Sequence, residues 1–259
     1  MKANIISLKQ SPRRGEAVER ATEAGFDTFF FDAIDASTNP IVKTIAPRSG
    51  DSFRAQYGRD QTLGELANLL SHQALYKQLL KDDITGYHLI LEDDFIPLVN
   101  ASVLDNVVKV AENAGADVVI LGYSKVDDEL EHALDISNPL MKAIPIPSSH
   151  LEIGQRCHES SCGVVSYFVN SRFLELMVAD EDYGHLTDDW TYHEKLRLKI
   201  FHVRPLCFRE DFKRMSSALE ADRSSSKGEA PIRLPAPLRP LWRHCLGVFR
   251  KAQFYARAK

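Results

Sequence analysis

The hydrophobic and polar positions near the start of the chain alternate between short apolar runs and a segment of helical periodicity. Residues 4–8 form an apolar run that predicts a strand, and a polar loop containing Pro12 follows it. Residues 15–24 have the pattern of a helix, and Gly25 is placed to end it as a C-cap. The β-branched and aromatic run at residues 28–31 predicts a second strand. A strand–helix–strand opening favours a Rossmann-like α/β sheet.

A capping box marks the start of a longer helix. Thr62 and Glu65 have the spacing in which a hydroxyl and a carboxylate close the first turn of a helix. Apolar residues at helical spacing then extend this helix to about Lys81. By the same criteria, further strands are predicted at residues 87–91, 117–122, 163–169 and 200–204, and further helices at 103–114, 172–179 and 190–198, the second of these capped by Asn170 or Ser171.

Several segments depart from this pattern. Residues 36–61, rich in Ser, Pro, Gly and charge, predict an irregular excursion that could carry a flexible loop. Residues 124–160 are mixed, and three prolines interrupt regular structure there. Ser and Pro dominate residues 224–240, and residues 241–258 place apolar side chains among basic ones as in an amphipathic helix. We therefore predict a single α/β domain at 1–223, a linker at 224–240 and a basic amphipathic tail at 241–259.

The composition is that of a folded protein, 259 residues with 44% hydrophobic and 26% charged residues, but the charge is unevenly distributed. Residues 233–259 contain seven Lys or Arg and no Asp or Glu, whereas the other 232 residues have a net charge of −11. The acidic body argues against nucleic-acid binding. The basic tail indicates an anionic partner, for which a membrane surface is the first candidate and the acidic body itself the alternative.

Targeting and cysteine patterns narrow the class further. Cys157 and Cys162 are the closely spaced cysteines, and their C-x4-C spacing is not that of a zinc site, so reduced thiols are expected. The N-terminal residues lack a signal-peptide pattern, and no apolar run approaches the roughly 20 residues of a transmembrane helix. We therefore expect a cytoplasmic protein. The sequence also lacks the Gly-x-Gly-x-x-Gly, Walker and nucleophile-elbow motifs.

Three consecutive carboxylates, Glu92, Asp93 and Asp94, follow the strand predicted at 87–91. In open α/β sheets ligands bind at the carboxyl ends of strands, and crowded acids there favour a divalent cation such as Mg2+ or Mn2+. Residues two apart on an extended segment point the same way, so Glu92 and Asp94 are candidate metal ligands, with Asp93 turned away. The alternative is a solvated acidic turn.

A second acidic cluster, Asp188 and Asp189, precedes the helix predicted at 190–198. A carboxylate here could serve as the base that deprotonates a hydroxyl group. The alternative is a structural role, because Thr187 or Asp188 could cap the helix.

Histidine and basic residues complete the set of candidates. His72 lies within a helix and His202 within a short strand, so each is either a functional group or a satisfied core histidine. His202, near the acidic loops, is a candidate metal ligand. Lys9 and Arg13 follow the first strand, where a diphosphate could be held.

Taken in order, these motifs resemble glycosyltransferase family 25, a group that includes lipooligosaccharide galactosyltransferases and collagen-modifying galactosyltransferases. The matching segments, spread over residues 3–223, are 5–9 with Arg13 and Arg14, 31–35, 63–65 with 70–72, 90–94, 163–167, 188–190, and 209–211 followed by Ser216, Ser217 and Arg223. The resemblance implies a GT-A type fold, a UDP-sugar donor, a divalent metal and inversion at the anomeric carbon.

The resemblance also implies roles for individual residues. The residues expected around the UDP-sugar are Ser7, Lys9, Arg13, Asp32, Asp35, Ser71, His72 and Asp93, with Asp32 or Asp35 on the nucleoside. The expected ligands of Mn2+ or Mg2+ are Glu92, Asp94 and His202. Asp188 is the expected base and Asp189 the runner-up.

The sequence therefore predicts an inverting, metal-dependent hexosyltransferase, by resemblance a β-galactosyltransferase. Its expected acceptor is a hydroxyl of a lipid-linked oligosaccharide of the lipopolysaccharide or lipooligosaccharide core. The tail would hold the enzyme peripherally on the inner face of the cytoplasmic membrane. Two other classes remain open: a metal-dependent hydrolase of a sugar nucleotide or phosphodiester, and a family member that only binds glycans or partners.

Overall fold

A mixed eight-stranded sheet forms the centre of the protein in a computed structural model, which describes residues 1–82, 85–157, 163–211 and 239–257. Its strands stand in the order β2-β1-β3-β8-β5-β9-β7-β6. They are Lys2–Ser7 (β1), Asp27–Asp32 (β2), His88–Glu92 (β3), Val118–Tyr123 (β5), Leu140–Pro145 (β6), Glu152–Arg156 (β7), Val164–Val169 (β8) and Ile200–Arg204 (β9). Strands β1, β2 and β3 are parallel, so their carboxyl ends meet at one edge.

Helices cover both faces of this sheet. They are Arg14–Glu23 (α1), Pro40–Tyr57 (α2), Leu63–Lys81 (α3), Ala101–Ala114 (α4), Asp128–Ser137 (α5), Ser171–Ala179 (α6), Trp190–Lys195 (α7) and Arg239–Arg257 (α8). Apolar residues of α1 and α4 share one core with the sheet, and those of α3, α6 and α7 share the other. All six residues of β5 are buried, because helices cover that strand on both sides. The predicted α/β class, a Rossmann-like mixed sheet flanked by helices, is confirmed.

The segment predicted to be an irregular excursion at 36–61 is instead largely the helix α2. Asn39 caps it by accepting from the backbone N–H of Ile41, Pro40 stands at its first position, and Gly58 ends it with φ +68°. Val42 and Phe53 bury its inner side. Its polar composition and internal Pro47 obscured the helical pattern. Residues 124–160, predicted to be mixed, contain α5, β6 and β7.

A second, two-stranded sheet adjoins the acidic turn. Phe95–Pro97 (β4) pairs antiparallel with Phe208–Glu210 (β10), so that Glu210 lies opposite Phe95. The backbone N–H of Asp211 donates to the carbonyl oxygen of Asp94 at 2.8 Å. This pairing brings an acid from late in the chain beside the carboxylates of residues 92–94.

Helix α8 packs against α5. Gly247 is buried there, and a Cβ at this position would lie 2.2 Å from the carbonyl oxygen of Ile136. The guanidinium of Arg250 donates to the carbonyl oxygen of Ser137 at 2.9 Å. Nearly all of the linker predicted at 224–240 lies outside the described residues, as do Cys162, Ser216, Ser217 and Arg223. None of the described helices is long and apolar enough to cross a membrane.

Candidate active site

A cavity of about 1110 Å³ opens at the carboxyl ends of β1, β2 and β3. The segments that follow these strands, residues 7–13, 32–35 and 92–94, form one side of it. His72, Asp188 and Glu210 are among the residues that line it from other elements. The sheet topology thus gathers most of the predicted site residues at one edge, where open α/β folds bind their ligands.

Asp93 is the anchored member of the acidic turn. Its Oδ2 accepts hydrogen bonds from the hydroxyls of Ser7 at 2.6 Å and Ser11 at 2.8 Å, and its Oδ1 lies 3.2 Å from an Arg13 guanidinium nitrogen. Asp93, predicted to turn away from Glu92 and Asp94 and also to lie near the donor, lines the cavity. Its carboxylate is nevertheless committed to holding the β1 loop against the turn, together with Ser7.

Glu92 and Asp94 lie in the cavity, where burial and neighbouring carboxylates disfavour their ionised forms. Removal from water, reinforced by Asp94, Asp188 and Glu210, raises the pKa of Glu92 well above its ordinary value. Removal from water and the nearby Glu210 raise the pKa of Asp94 to about 6, although Arg13 opposes this. Asp94 Oδ2 lies 3.1 Å from Arg13, whereas its buried Oδ1 has no hydrogen-bond partner among the described residues. Such an orphaned oxygen fits a cation better than it fits protein alone.

The two basic residues expected near a diphosphate both line the cavity. Arg13 spans Asp93 and Asp94, and Lys9 is exposed at the wall. Arg14 is drawn elsewhere, because its guanidinium pairs with Asp32 at 2.6 Å and donates to the carbonyl oxygen of Ser7. Asp32, a predicted nucleoside contact, therefore lines the cavity as part of an ion pair.

Asp35 and Ser71, two further residues predicted around the donor, are placed differently. Asp35 lines the cavity, and hydrogen bonds from the side chain and backbone of Ser37 lower its pKa. Ser71 is buried and does not line the cavity, because its hydroxyl donates to the carbonyl oxygen of Ala67 and accepts from the backbone N–H of Ile34. Ser71 therefore fastens the loop after β2 to α3 rather than reaching a ligand.

The adjacent acids Asp188 and Asp189 separate into two roles. Asp188 lines the cavity. Asp189 caps α7 by accepting from the backbone N–H groups of Thr191 and Tyr192, and its other oxygen accepts from Gln56 and Tyr57. With both oxygens engaged in structural bonds, Asp189 is a poor base, and Asp188 is the acid of this pair that the cavity can use.

His72 belongs to a buried polar cluster at the cavity wall. Its Nδ1 lies 2.6 Å from the hydroxyl of Tyr167, which in turn lies 2.7 Å from the hydroxyl of Tyr76. All three side chains are almost completely buried. Removal from water lowers the pKa of His72 to about 3, so the imidazole is neutral at physiological pH. With Nδ1 engaged, Nε2 is the nitrogen left to meet a ligand.

His202 is not brought together with Glu92 and Asp94. It is fully buried on β9, where its Nδ1 contacts the hydroxyl of Tyr123, and it does not line the cavity. His202 is thus a core histidine and no ligand of a cation in this site. Within the described residues, no set of three or more Asp, Glu, His or Cys side chains is arranged to hold a metal ion.

The cavity also contains polar residues that the sequence analysis did not select for the site. Ser11 holds Asp93, and Glu210 accepts from the backbone N–H of Lys125 at 2.7 Å while facing Glu92 and Asp94. In the sequence, segment 209–211 is only one of the motifs that resemble family 25, with no predicted role in the site. Its acidity was the available signal, but only the pairing of β10 with β4 shows that it reaches the site.

A match to a protein-family model shows the family to which the chain belongs. The model described as glycosyltransferase family 25 (LPS biosynthesis protein) matches residues 1–173 of the 259. The chain belongs to this family. The match includes Arg13, the acidic turn and His72, whereas Asp188, Glu210 and α8 lie beyond it. A search of curated proteins finds no match to this family 25 member.

Solved structures with similarity to this family 25 protein are distant. A197 from STIV has 13% identity and a TM-score of 0.42, covering 78% of this chain and 80% of that one. A glycosyltransferase involved in the glycosylation of the major capsid of PBCV-1 has 11% identity and a TM-score of 0.39, covering 86% and 100%. UDP-glucose pyrophosphorylase from acinetobacter baumanii has 13% identity and a TM-score of 0.38, covering 81% and 86%.

The opposite environments of Asp93 and Asp94 predict opposite effects of the same substitution. In EDTA at pH 7, D94N should raise the free energy of unfolding by about 1–3 kcal/mol, because it removes a carboxylate whose pKa is raised to about 6. As the pH rises from about 4 to 6, Asp94 ionises more readily in the unfolded state than in the folded state, so its contribution to wild-type stability falls. D94N should remove this decline. Urea unfolding across this pH range measures both effects.

D93N is the matched control for this test. The amide has one acceptor oxygen, so its NH2 group must face either the Ser7 and Ser11 hydroxyls or the Arg13 guanidinium, and D93N should lower stability by about 1–3 kcal/mol. If both variants lose stability, the conclusion that the Asp94 carboxylate destabilises the folded protein is wrong.

The buried neutral state of His72 predicts a distinct pH dependence. The unfolded imidazole binds a proton below about pH 6.5 while the folded one resists it, so wild type should lose stability on acidification. Between pH 7 and 5 the stability of H72Q relative to wild type should therefore improve by about 2 kcal/mol. Urea unfolding at the two pH values measures this difference. The exposed His132 supplies the control, since H132Q should parallel wild type; a parallel H72Q profile would contradict the neutral buried state.

Proposed function

We propose that this glycosyltransferase transfers galactose from a UDP-sugar, with inversion, to a hydroxyl of a lipid-linked oligosaccharide. Membership of family 25 supports a sugar transferase of lipopolysaccharide biosynthesis. The donor, the sugar and the acceptor are the finer parts of the proposal. They rest on the predicted motifs and on the chemistry of the cavity.

The observation that carries the proposal is the crowding of carboxylates in that cavity. Burial raises the pKa of Glu92, and the charges of Asp94, Asp188 and Glu210 raise it further; at Asp94, Arg13 opposes the rise in pKa. A nucleoside diphosphate is itself anionic, so such a cavity would repel it. A divalent cation held by these acids would remove this conflict, because it would offset their negative charge and attract the phosphate groups.

Glu92 and Asp94 would hold this cation, Mg2+ or Mn2+. The buried Oδ1 of Asp94, which has no hydrogen-bond partner in the described part of the chain, fits such a role. Two acids would suffice, because Mg2+ is commonly held by one or two carboxylates together with waters and substrate phosphates. When bound, the cation stabilises the negative charge of the leaving diphosphate.

The chain's own residues would bind and orient the reactants. Arg13 and Lys9 would contact phosphate oxygens, and His72 would offer its neutral Nε2 to a ligand hydroxyl. Asp188 would accept the proton of the acceptor hydroxyl while the oxygen of that hydroxyl bonds to the anomeric carbon. The bond from that carbon to the diphosphate breaks on the opposite face, which inverts the configuration.

The donor site predicts a nucleotide effect that needs metal. UDP or a UDP-sugar should raise the thermal midpoint by several degrees with Mn2+ and not with EDTA, because binding to the native state stabilises it by mass action. D94N should abolish this shift although the variant itself is more stable. Thermal unfolding with a panel of nucleotides measures it. Stabilisation by no nucleotide would overturn the donor class, and rapid donor turnover without acceptor would indicate a hydrolase.

The base assignment predicts a separation between binding and turnover. D188N should retain the nucleotide-dependent shift of the thermal midpoint but lose about 10²–10⁴-fold in kcat, because the proton of the acceptor hydroxyl has no destination. D189A should show the reverse: a loss of about 1 kcal/mol in stability, because alanine cannot cap the helix, and kcat near wild type. A full loss of kcat in D189A with activity kept in D188N would exchange the two roles.

A further inference from the structure

Helix α8 presents two different faces. Gly247 on the inner face is buried against α5, and Arg250 and Phe254 are partly buried on the same side. The Arg250 guanidinium bonds the carbonyl oxygen of Ser137, and the Lys142 ammonium lies 5.8 Å from the centre of the Phe254 ring. The helix is therefore fixed to the body in one rotational setting.

The outer face of α8 is an exposed apolar stripe. Trp242, Val248, Phe249 and Tyr255 are each 56–59% exposed, more than any other large hydrophobic residue among those described. Cys245, Ala252 and Ala256 are exposed between them. Positions 242, 245, 249, 252 and 256 recur at helical spacing, so these side chains line one side of the helix. Trp242 and Tyr255 lie about 20 Å apart along the helix axis.

The charges of α8 identify what can cover this stripe. Residues 239–257 contain five Lys or Arg and no Asp or Glu. A basic helix with Trp, Phe and Tyr on one side is the pattern of helices that lie in the interface of an anionic bilayer. Each basic residue near such a surface contributes about 1 kcal/mol of attraction.

We propose that the outer face of α8, the stripe of Trp242, Cys245, Val248, Phe249, Ala252, Tyr255 and Ala256, docks the protein on an anionic membrane surface. The two alternatives for the tail are then compatible, because the helix packs on the body with one face and meets lipid with the other. The acids of the supporting helix α5 are partly neutralised: Arg209 pairs with Asp128 and Glu131, and Arg204 with Asp135. Repulsion between α5 and the lipid is thereby reduced.

Vesicle flotation of the full chain tests this proposal. The wild type should float with vesicles that contain about one third phosphatidylglycerol in phosphatidylcholine and not with phosphatidylcholine alone, and about 0.5 M salt should weaken binding. The double variant W242S/F249S should lose at least about tenfold in partition coefficient, because it removes two of the three aromatic side chains of the stripe.

A matched variant controls for general loss of surface hydrophobicity. V18S/L176S removes two exposed apolar residues from α1 and α6, and it should float like wild type. Equal flotation of wild type and W242S/F249S, with its fold confirmed by circular dichroism, would overturn the proposal. So would a wild-type dimer that W242S/F249S dissociates while neither protein floats, since a second copy would then cover the stripe. No donor, metal or acceptor enters the assay, so its outcome is independent of the proposed reaction.

Discussion

Repulsion among carboxylates in one desolvated cavity is the constraint on which the site depends. Glu92, Asp94, Asp188 and Glu210 come from three separate parts of the chain, and the fold holds them together at a cost in stability. Arg13 offsets part of this repulsion at Asp94. Because the β1 loop, the β3 turn and the β4–β10 pair all contribute to the cavity, the sheet edge must be rigid enough to keep like charges close. Rigid placement of this kind lets a site bind a cation and a diphosphate without reorganising.

In three pairs of neighbouring residues, one residue is committed to structural hydrogen bonds while its neighbour faces the cavity. Asp93 ties the β1 loop to the turn, while one oxygen of Asp94 has no partner within the residues that the structure describes. Asp189 caps α7 while Asp188 lines the cavity, and Ser71 fastens a loop while His72 reaches the wall. In each case the structural partner saturates its hydrogen bonds with nearby backbone or side chains. The other partner is thereby held in place, since its backbone position is fixed by a bonded neighbour.

Local signals in the sequence were sufficient for much of the fold, and long-range pairing accounts for most of what they missed. The capping box of Thr62 and Glu65 and the bounds of α3 were predicted because they depend on adjacent residues alone. Helix α2 was missed because its stability comes from Val42 and Phe53 packing on other elements. The place of Glu210 depends on a strand pair more than a hundred residues apart in the chain. Likewise, His202 was correctly put in a strand, but only the neighbours of β9 show that it lies in the core.

The charge of the body makes the orientation of α8 consequential. With −11 over residues 1–232, most of the molecule would be repelled by an anionic surface, and only the basic segment would be attracted. A loosely tethered tail could bind an anionic surface with the body in any orientation relative to that surface. The packing of α8 on α5 through Gly247 and Arg250 removes this freedom, because the apolar stripe then has a fixed direction relative to the sheet. A fixed helix of this kind would therefore orient the cavity relative to lipid as well as attach the protein to it.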